Sequence, residues 1–509
     1  MKILLCCSSI ICILIVSPFS FANNLTLDNP SLTDSDTEGK TTKITFDISW
    51  DNSWRNKLNY DAAWIFVKYS IDSGSTWQHA TLKSAGVNPT GFSLGSGTAI
   101  EIVVPQDKKG CFIQRAAYGG GSLATTGVAL VWDWGADGLD SGTQARVKIA
   151  GIEMVYIPEE AFYLGDGDGS SESTYAFHQS GNDNSRVQIT SASKNITCDI
   201  NGNDDIDTLP VTVDGDGGIA GNANFPTGYK AFYIMKYEIS ESQWVDFFNT
   251  LSYAKQLARD ITDTSGKNSD EPINRNTVSW TSGAATTVAP DRSCGYLSWM
   301  DLCAYADWTA LRPMTELEYE KAARGSMDAV FAEYAWGNNN VTYATTISGA
   351  EDGTETITDN DANCCANNQT FSGGSGGTGP LRNGIFAVSN SSRQEAGSTY
   401  YGAMEFSGNL AERVVTLGNE SGRDFQGTNG DGILSQAESF EGNATNTDWP
   451  GIDGTPARGV TGALGSGSRG GAWNSLTNPV LRISDRTSAS AADSARREYY
   501  GGRCVRTAP

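Results

Sequence analysis

Two glutamates bracket a short polar segment whose residues could bind a hard cation. Glu405 and Glu412 stand at the ends of the eight-residue stretch EFSGNLAE. Oxygen donors concentrated over so few residues suit calcium, which takes carboxylate and carbonyl oxygens together. A plain polar turn would have the same composition, so the residues by themselves leave both interpretations open.

Two further acidic stretches carry part of a calcium-loop pattern. Residues 199–205, DINGNDD, alternate oxygen-bearing side chains, but Pro210 stands where the terminal glutamate of such a loop belongs. Residues 427–438 have the length and the terminal glutamate of an EF-hand loop, yet their first position is Gly427 and no helix is predicted before it. A solvated loop is the alternative interpretation of each stretch.

The thiols and imidazoles offer little transition-metal chemistry. Three of the ten cysteines lie before residue 23, and the remaining seven lack the spacing of zinc ligands. The only histidines are His79 and His178, which excludes a metal centre built from histidines. Cys364 and Cys365 are adjacent, so their side chains should diverge in an extended segment, where linear coordination by both sulfurs would be strained.

Composition limits the partners and the domain count. The chain has 509 residues and a net charge of −23, so phosphate backbones would be repelled and nucleic acid is not an expected partner. The length exceeds that of a typical single domain. With 57 glycines and 15 prolines, the chain is typical of a folded, loop-rich protein.

The first 22 residues have the pattern of a secretory signal peptide. Lys2 precedes the apolar run from residue 3 to residue 16, and Ser20-Phe21-Ala22 forms a small-x-small cleavage site. The alternative is a membrane anchor. No later run is apolar and long enough to cross a bilayer, so we expect a protein that is secreted, periplasmic or displayed at the cell surface.

Residues 23–150 are predicted to form a β-sandwich. Residues 43–50 alternate between polar and apolar side chains, residues 63–69 form an apolar run, and residues 100–104 precede Pro105. Glycine-rich turns separate these segments, as in a sandwich. A carbohydrate- or protein-binding module and a structural spacer both remain open as the role of this domain.

Capping patterns predict three helices in the rest of the chain. Each begins with a hydroxyl residue followed three positions later by an acid or glutamine, which together satisfy free amides at the helix start. The pairs are Thr315 with Glu318, Ser240 with Gln243, and Ser298 with Asp301. Gly325 is the predicted stop of the helix that starts after Thr315. Residues 338–402 are predicted to be an irregular, functional or ion-stabilised loop system.

Several motifs resemble the formylglycine-generating enzyme (sulfatase-modifying factor) family. They include RPMTELEYEKAARG at 312–325, YAWGN at 334–338, FYIMKYEIS at 232–240, RGGAW at 469–473 and GGRCV at 501–505. The resemblance covers residues 151–507. It implies an α+β, C-type-lectin-like fold for residues 151–509.

The resemblance also implies metal ligands and a disulfide. Carried over from the family, one calcium ion would bind Glu405, Gly408, Leu410 and Glu412, and a second would bind Asn363 and Cys364. Family members tie a helix to the GFRC strand by a disulfide, which here implies a bridge between Cys303 and Cys504. Cys294 is the rival partner.

The resemblance does not extend to the catalytic residues. Enzymes of the family hold copper(I) with two cysteines, spaced five apart, just after RGGSW. Ser475 stands at the first of these positions, the second falls between Asn478 and Val480, and residues 366–503 contain no cysteine. Copper is therefore not expected. The related iron-dependent sulfoxide synthases need three histidines, which this chain lacks.

A non-catalytic binding protein is the favoured interpretation. The same scaffold serves for binding in the variable proteins of diversity-generating retroelements, whose diversified positions correspond here to residues 474–500. The expected ligand is a protein or a glycan. An oxidase with a relocated thiol site and a structural envelope protein are the alternatives. The candidate binding residues are Trp473, Asn474, Ser475, Arg482, Arg486, Tyr499 and Tyr500.

Overall fold

The computed structural model describes residues 24–166, 176–177, 186–192, 222–281 and 283–509. The chain divides into two compact units, and the boundary falls between Glu153 and Met154. Residues 250–252 and the C-terminal Pro509 group with the first unit. The predicted signal peptide and the acidic stretch at 199–205 lie outside the described residues.

The described part of the first unit is built from β-strands. One antiparallel sheet has the order β1-β2-β9-β6, and a second contains the order β3-β8-β7-β5, with β4 paired to β3. The strands are β1 Thr26–Asp36, β2 Thr41–Arg55, β3 Asp61–Ser70, β4 Gln78–His79, β5 Gly86–Val87, β6 Ser93–Gly97, β7 Ile100–Val104, β8 Cys111–Arg115, β9 Gly119–Trp132 and β10 Arg146–Ile157, which continues into the second unit.

The strands predicted at 43–50, 63–69 and 100–104 are confirmed as parts of β2, β3 and β7. Burial alternates along β2, because successive side chains of a strand point to opposite faces. One hydrophobic cluster contains Phe46 from β2, Ile65 from β3 and Leu130 from β9. The two sheets of the first unit therefore share a core.

The second unit combines short helices with small sheets, so the α+β class is confirmed. The longest helix among its described residues has 10 residues, and long stretches between the described elements are loops. The elements are β11 Phe162–Leu164, β12 Val187–Ile189, β13 Phe232–Met235, α1 Glu241–Phe248, α2 Tyr253–Arg259, α3 Trp299–Trp308, β14 Arg312–Pro313, α4 Glu316–Arg324, β15 Ile347–Ser348, β16 Thr356–Ile357, β17 Ala411–Val415, α5 Glu420–Arg423, β18 Ser466–Arg469, β19 Tyr500–Gly501 and β20 Cys504–Thr507.

All three predicted capping boxes are present. Ser240 caps α1, Ser298 caps α3 and Thr315 caps α4, and in each case the side chain three residues later bonds back to the capping amide. Gly325 ends α4 with a φ of 73°, a left-handed conformation that favours glycine. The capping side chains and Gly325 therefore allow these helix ends to be predicted from neighbouring residues in the sequence.

Two sheets hold the loops of the second unit in place. One has the order β14-β20-β13-β10, and the other has the order β18-β17-β19. Between Gly325 and β17, only the two-residue strands β15 and β16 interrupt the described chain. The prediction of an irregular loop system over residues 338–402 is therefore confirmed.

The predicted disulfide between Cys303 and Cys504 is absent from the structure. Both cysteines, and the rival Cys294, are buried free thiols. Cys504 is close enough to Cys303 to raise the pKa of that thiol, although burial has the larger effect. In the family that the chain resembles, the cysteine of this helix would stand at Ala306, one turn after Cys303, and one turn moves a side chain by about 5.4 Å along the axis. Such an offset is large for a bond that fixes the two sulfurs about 2 Å apart.

None of the helices in the described part of the chain is long and apolar enough to cross a bilayer.

Candidate functional site

The segment after Arg469 forms a tight turn. Gly470 and Gly471 have φ values of 85° and 63°, and a Cβ on Gly470 would lie 2.5 Å from the carbonyl oxygen of Phe406. The Ala472 amide donates to Ser475 Oγ at 2.9 Å, and the Ser475 amide donates to the Ala472 carbonyl at 3.0 Å. The two glycines are required because the turn needs left-handed backbone where other segments pack closely.

Two other loops meet this turn through backbone hydrogen bonds. The Asn367 amide donates to the Ser475 carbonyl at 2.9 Å, and the Asn368 amide donates to the Trp473 carbonyl at 2.7 Å. The Trp473 amide donates to the Asn409 carbonyl at 2.8 Å. The structure thus brings together three segments that are distant in sequence: 363–368, 405–412 and 469–475.

Tyr499 and Tyr500 join the same region. Tyr500 is buried in a small cluster with Ala411 and Ala472, and Tyr499 packs against that cluster. Trp473 Nε1 donates to the Glu498 carbonyl at 3.4 Å. The two ends of the predicted binding stretch, 473–475 and 498–500, therefore lie side by side.

The predicted binding residues differ in their access to solvent. Asn474, Ser475 and Tyr499 are half-buried, whereas Trp473 and Tyr500 are buried. The first three can contact a ligand directly, and the two buried rings support the surface from below.

The two arginines of the predicted set are interior residues. Arg486 is fully buried and donates to Glu316 from Nε at 2.6 Å and from Nη2 at 3.0 Å. Arg482 is also buried, with its guanidinium over the Phe331 ring, 5.7 Å from the ring centroid. Arg469 pairs with the same Glu316 at 3.2 Å. Arg469 therefore ties the start of the turn to α4, and Arg486 ties a later segment to the same carboxylate, since breaking a buried ion pair is costly.

The surface includes residues that the sequence did not single out. Leu476 is 72% exposed although it is apolar. Two residues later, Asn478 accepts a hydrogen bond from the Tyr343 hydroxyl, which connects this segment to a loop more than a hundred residues earlier. Single exposed apolar side chains are common on protein surfaces, so Leu476 is of interest only because it directly follows Ser475.

The thiols near the turn do not form a copper site. Cys364 donates to the Ser407 carbonyl at 3.3 Å, and Cys365 donates to the Gly379 carbonyl at 3.7 Å. Burial raises the pKa of Cys364 well above its usual value and the pKa of Cys365 to about 12. Copper(I) prefers two thiolates, and Ser475 and Val480 supply none. The donor set beside the turn therefore does not fit copper.

Glu405 has a free buried oxygen. Its Oε1 accepts from the Gly384 amide at 2.6 Å, while its Oε2 is buried without a hydrogen-bond partner among the described residues. Burial raises the pKa of this carboxyl to about 7, although nearby Arg503 opposes the shift. Glu405 also has a φ of 62°, which is uncommon for a residue other than glycine. A cation at Oε2 would supply the missing partner.

The other predicted calcium ligands are engaged in protein contacts. Glu412 accepts from Arg503 with both carboxylate oxygens. Asn363 Oδ1 accepts from the Thr342 amide at 2.9 Å, and the Cys364 carbonyl accepts from the Ala344 amide at 3.0 Å. Over the described ranges, no group of three or more His, Cys, Asp or Glu side chains is arranged to hold a metal ion. The fit to calcium therefore depends on Glu405, with the Gly408 and Leu410 carbonyls as the remaining predicted donors.

The loop with the EF-hand pattern is organised around a protein carboxylate. Asp307 Oδ1 accepts from the amides of Asp431 and Gly432 at 3.0 and 3.1 Å, and its Oδ2 accepts from the Thr445 amide at 3.1 Å. An EF-hand loop turns its oxygens toward a cation. Here two amides of the loop point instead at the buried carboxylate of α3.

Two comparisons with known proteins bear on this site. The family model described as "Sulfatase-modifying factor enzyme 1-like domain" matches residues 222–508, which include all three segments that meet at the turn. A protein from Thermomonospora curvata named "Formylglycine-generating enzyme" is 45% identical over 56 residues. That alignment covers 11% of this chain and 18% of the relative, so the chain spans less than a fifth of the relative's length.

Proposed function

The chain belongs to the sulfatase-modifying factor enzyme 1-like family, and from this premise we propose that it is an exported protein whose second unit binds a ligand without making formylglycine. The pattern of residues 1–22 supports export to the periplasm, the cell surface or the medium. The net charge of −23 argues against nucleic acid. The proposed ligand is a protein or a glycan.

One observation carries the non-catalytic proposal. At the turn where the family's enzymes place a copper-binding thiolate, this chain has Ser475, whose hydroxyl accepts the Ala472 amide and closes the turn. A hard oxygen committed to the backbone is a poor ligand for copper(I). The described cysteines are all buried, so none presents a sulfur at the surface.

The proposed binding surface is the one formed by Asn474, Ser475, Leu476 and Tyr499. Leu476 supplies exposed apolar area, and the other three supply polar groups at partly buried positions. Binding surfaces commonly have an apolar centre surrounded by polar groups. The surrounding turn is held by backbone hydrogen bonds and buried ion pairs, so little conformational entropy is lost on binding.

The proposal also includes a structural calcium ion in the second unit. Glu405, with the carbonyls of Gly408 and Leu410, would hold a structural calcium ion, because its unpaired buried oxygen suits a hard cation.

We also infer that the first unit is a β-sandwich, since its two antiparallel sheets share one hydrophobic core.

The proposed binding role is tested by screening the purified exported protein on glycan and protein arrays. A ligand should emerge whose binding is lost in Leu476→Asp. Leu464→Asp is the matched control, because Leu464 is a 55% exposed leucine of the same unit outside the proposed surface. Absence of any ligand, or equal binding by both variants, would favour a structural envelope role.

A second candidate function is oxidation by a relocated thiol site. It is favoured by one observation: the loop that carries Cys364 and Cys365 donates backbone hydrogen bonds to Ser475 and Trp473 from Asn367 and Asn368, two and three residues after Cys365. The protein is incubated with copper(I) and a cysteine-containing sulfatase peptide, and mass spectrometry should find no aldehyde. Aldehyde that disappears in Cys364→Ser would overturn the binding proposal.

A further inference from the structure

We propose that a cavity beside Lys230, in the second unit, binds a small sugar acid: a polyhydroxy molecule that carries one carboxylate. Most of the lining comes from two stretches of chain, 223–232 and 426–429. Arg312 of β14 and Glu318 of α4 contribute as well. The cavity shares no residue with the proposed surface around Ser475, so it would be a second, separate site.

The volume of the cavity suits a small organic molecule. Ligand pockets in proteins commonly start at roughly 300 Å³, and the cavity beside Lys230 has a volume of about 300 Å³. It is therefore large enough for one sugar-sized acid.

Hydrogen bonds hold the two main walls of the cavity together. Asn224 Nδ2 donates to Gln426 Oε1 at 3.1 Å. Asn222 Nδ2 donates to the carbonyls of Arg423 and Phe425 at 2.9 and 2.7 Å. The two walls are thus already positioned before a ligand arrives, which reduces the conformational entropy lost on binding.

Lys230 gives the cavity a net positive charge. Its side chain is exposed and has no ion-pair partner among the described residues. The other two charged residues of the lining neutralise each other: Arg312 Nη1 donates to Glu318 Oε2 at 2.8 Å, and Arg312 Nη2 donates to Glu318 Oε1 at 2.6 Å. In a chain whose net charge is −23, a cavity with one unpaired ammonium group favours an anionic ligand.

The single ammonium group selects a carboxylate over a phosphate. A carboxylate carries one negative charge, which Lys230 can balance. A phosphate monoester carries roughly 1.5 to 2 negative charges at pH 7, so part of its charge would remain uncompensated in an acidic protein. The ligand that matches the charge of the cavity is therefore a monocarboxylate.

The polar groups of the lining match the hydroxyls of a sugar acid. The Thr507 hydroxyl accepts from Arg312 Nε at 3.4 Å and from Nη2 at 3.3 Å, which leaves its own hydrogen for a ligand oxygen. Asn224 and Gln426 present exposed amide groups, which donate and accept as sugar hydroxyls do. Pro226 supplies apolar surface for the C–H groups of the ligand.

The site is tested by saturation-transfer NMR on the full-length protein with glucuronate, galacturonate and gluconate. At least one of these acids should receive saturation, and glucose, glucosamine and glucose 6-phosphate should receive much less. Lys230→Gln should weaken binding by roughly 10-fold or more, because hydrogen bonds to charged groups are the strongest. Ala223→Trp should fill the cavity and abolish binding. Both positions are exposed, so both variants should fold.

Lys57→Gln is the matched control, because Lys57 is an exposed lysine of the first unit, and it should bind the acid normally. The proposal is overturned if none of the three acids receives saturation, if Lys230→Gln binds as well as the parent protein, or if glucose or glucose 6-phosphate binds as well as the acids. Leu476→Asp should leave this binding intact, which separates the outcome from that of the proposed surface around Ser475.

Discussion

Glu412 and Arg503 form a buried two-point ion pair. Arg503 Nε donates to Glu412 Oε2 at 2.8 Å, and Nη2 donates to Oε1 at 2.5 Å. Arg503 Nη2 also donates to the Met404 carbonyl at 2.6 Å. The pair connects β17 to the residue before β20. It fixes one end of the 405–412 segment whether or not a cation binds there.

Removing Arg503 should destabilise the second unit strongly. Arg503→Met leaves Glu412 as a buried carboxylate without its partner, which typically costs about 3–5 kcal/mol. Arg497→Met is the matched control, because Arg497 pairs with Asp493 at 2.9 Å but is 50% exposed, and it should cost less than about 1 kcal/mol. Urea unfolding followed by tryptophan fluorescence measures both. Equal, small effects would contradict the importance of the buried pair.

Calcium should raise the melting temperature through Glu405. A chelator should lower the melting temperature of the parent protein, and Glu405→Gln should remove that sensitivity, because the amide is a weaker calcium ligand than the carboxylate. Asp431→Asn, in the loop around Asp307, should keep the chelator response. A parent protein that melts identically with and without chelator would count against the calcium proposal.

Restoring two thiols should create copper affinity. A Cβ on Gly471 would lie 3.1 Å from Ser475 Oγ and 3.0 Å from the Val480 carbonyl oxygen, so both positions flank the same glycine. Ser475→Cys with Val480→Cys should bind copper(I) in competition with a chromogenic chelator, because two thiolates are its preferred donors. Each single variant and the parent protein should bind much more weakly. No gain in the double variant would show that the turn has lost the required geometry.

Stability should fall as the pH rises through the pKa of Asp291. Burial raises that pKa from 3.8 to about 6, with Arg382 opposing the shift and Glu355 adding to it. The folded state therefore holds a proton between about pH 4 and pH 6 that the unfolded state releases, so this contribution to stability is complete at low pH and lost above pH 6. Asp291→Asn should stabilise the protein by about 3 kcal/mol at pH 8 and have little effect at pH 4.

Thermal melts from pH 4 to pH 8 measure this difference. Asp361→Asn, at an exposed position of the same unit, is the control and should follow the parent protein throughout. A parallel loss of stability with pH in the parent and in Asp291→Asn would assign the pH dependence to another group.

Local chemistry made several elements predictable from the sequence. The capping boxes at Ser240, Ser298 and Thr315 depend on residues three apart, and the strand at 43–50 depends on alternation between neighbours. The family motifs between residues 232 and 505 could also be recognised from the sequence, because each is a contiguous run of residues. The sequence alone also shows that the two copper-binding cysteines of the family are missing, because Ser475 and Val480 stand at their positions and neither can supply a thiolate.

The tertiary structure decided what depends on burial and on contacts between distant segments. Arg486 looked like a surface contact in sequence but lies fully buried against Glu316, 170 residues away. Cys303 and Cys504 looked like a bridge but are free thiols. Leu476 became a candidate contact through its exposure beside the turn. These properties could not be predicted from the sequence, because burial and ion pairing depend on residues that are far apart in the chain and meet only in the folded protein.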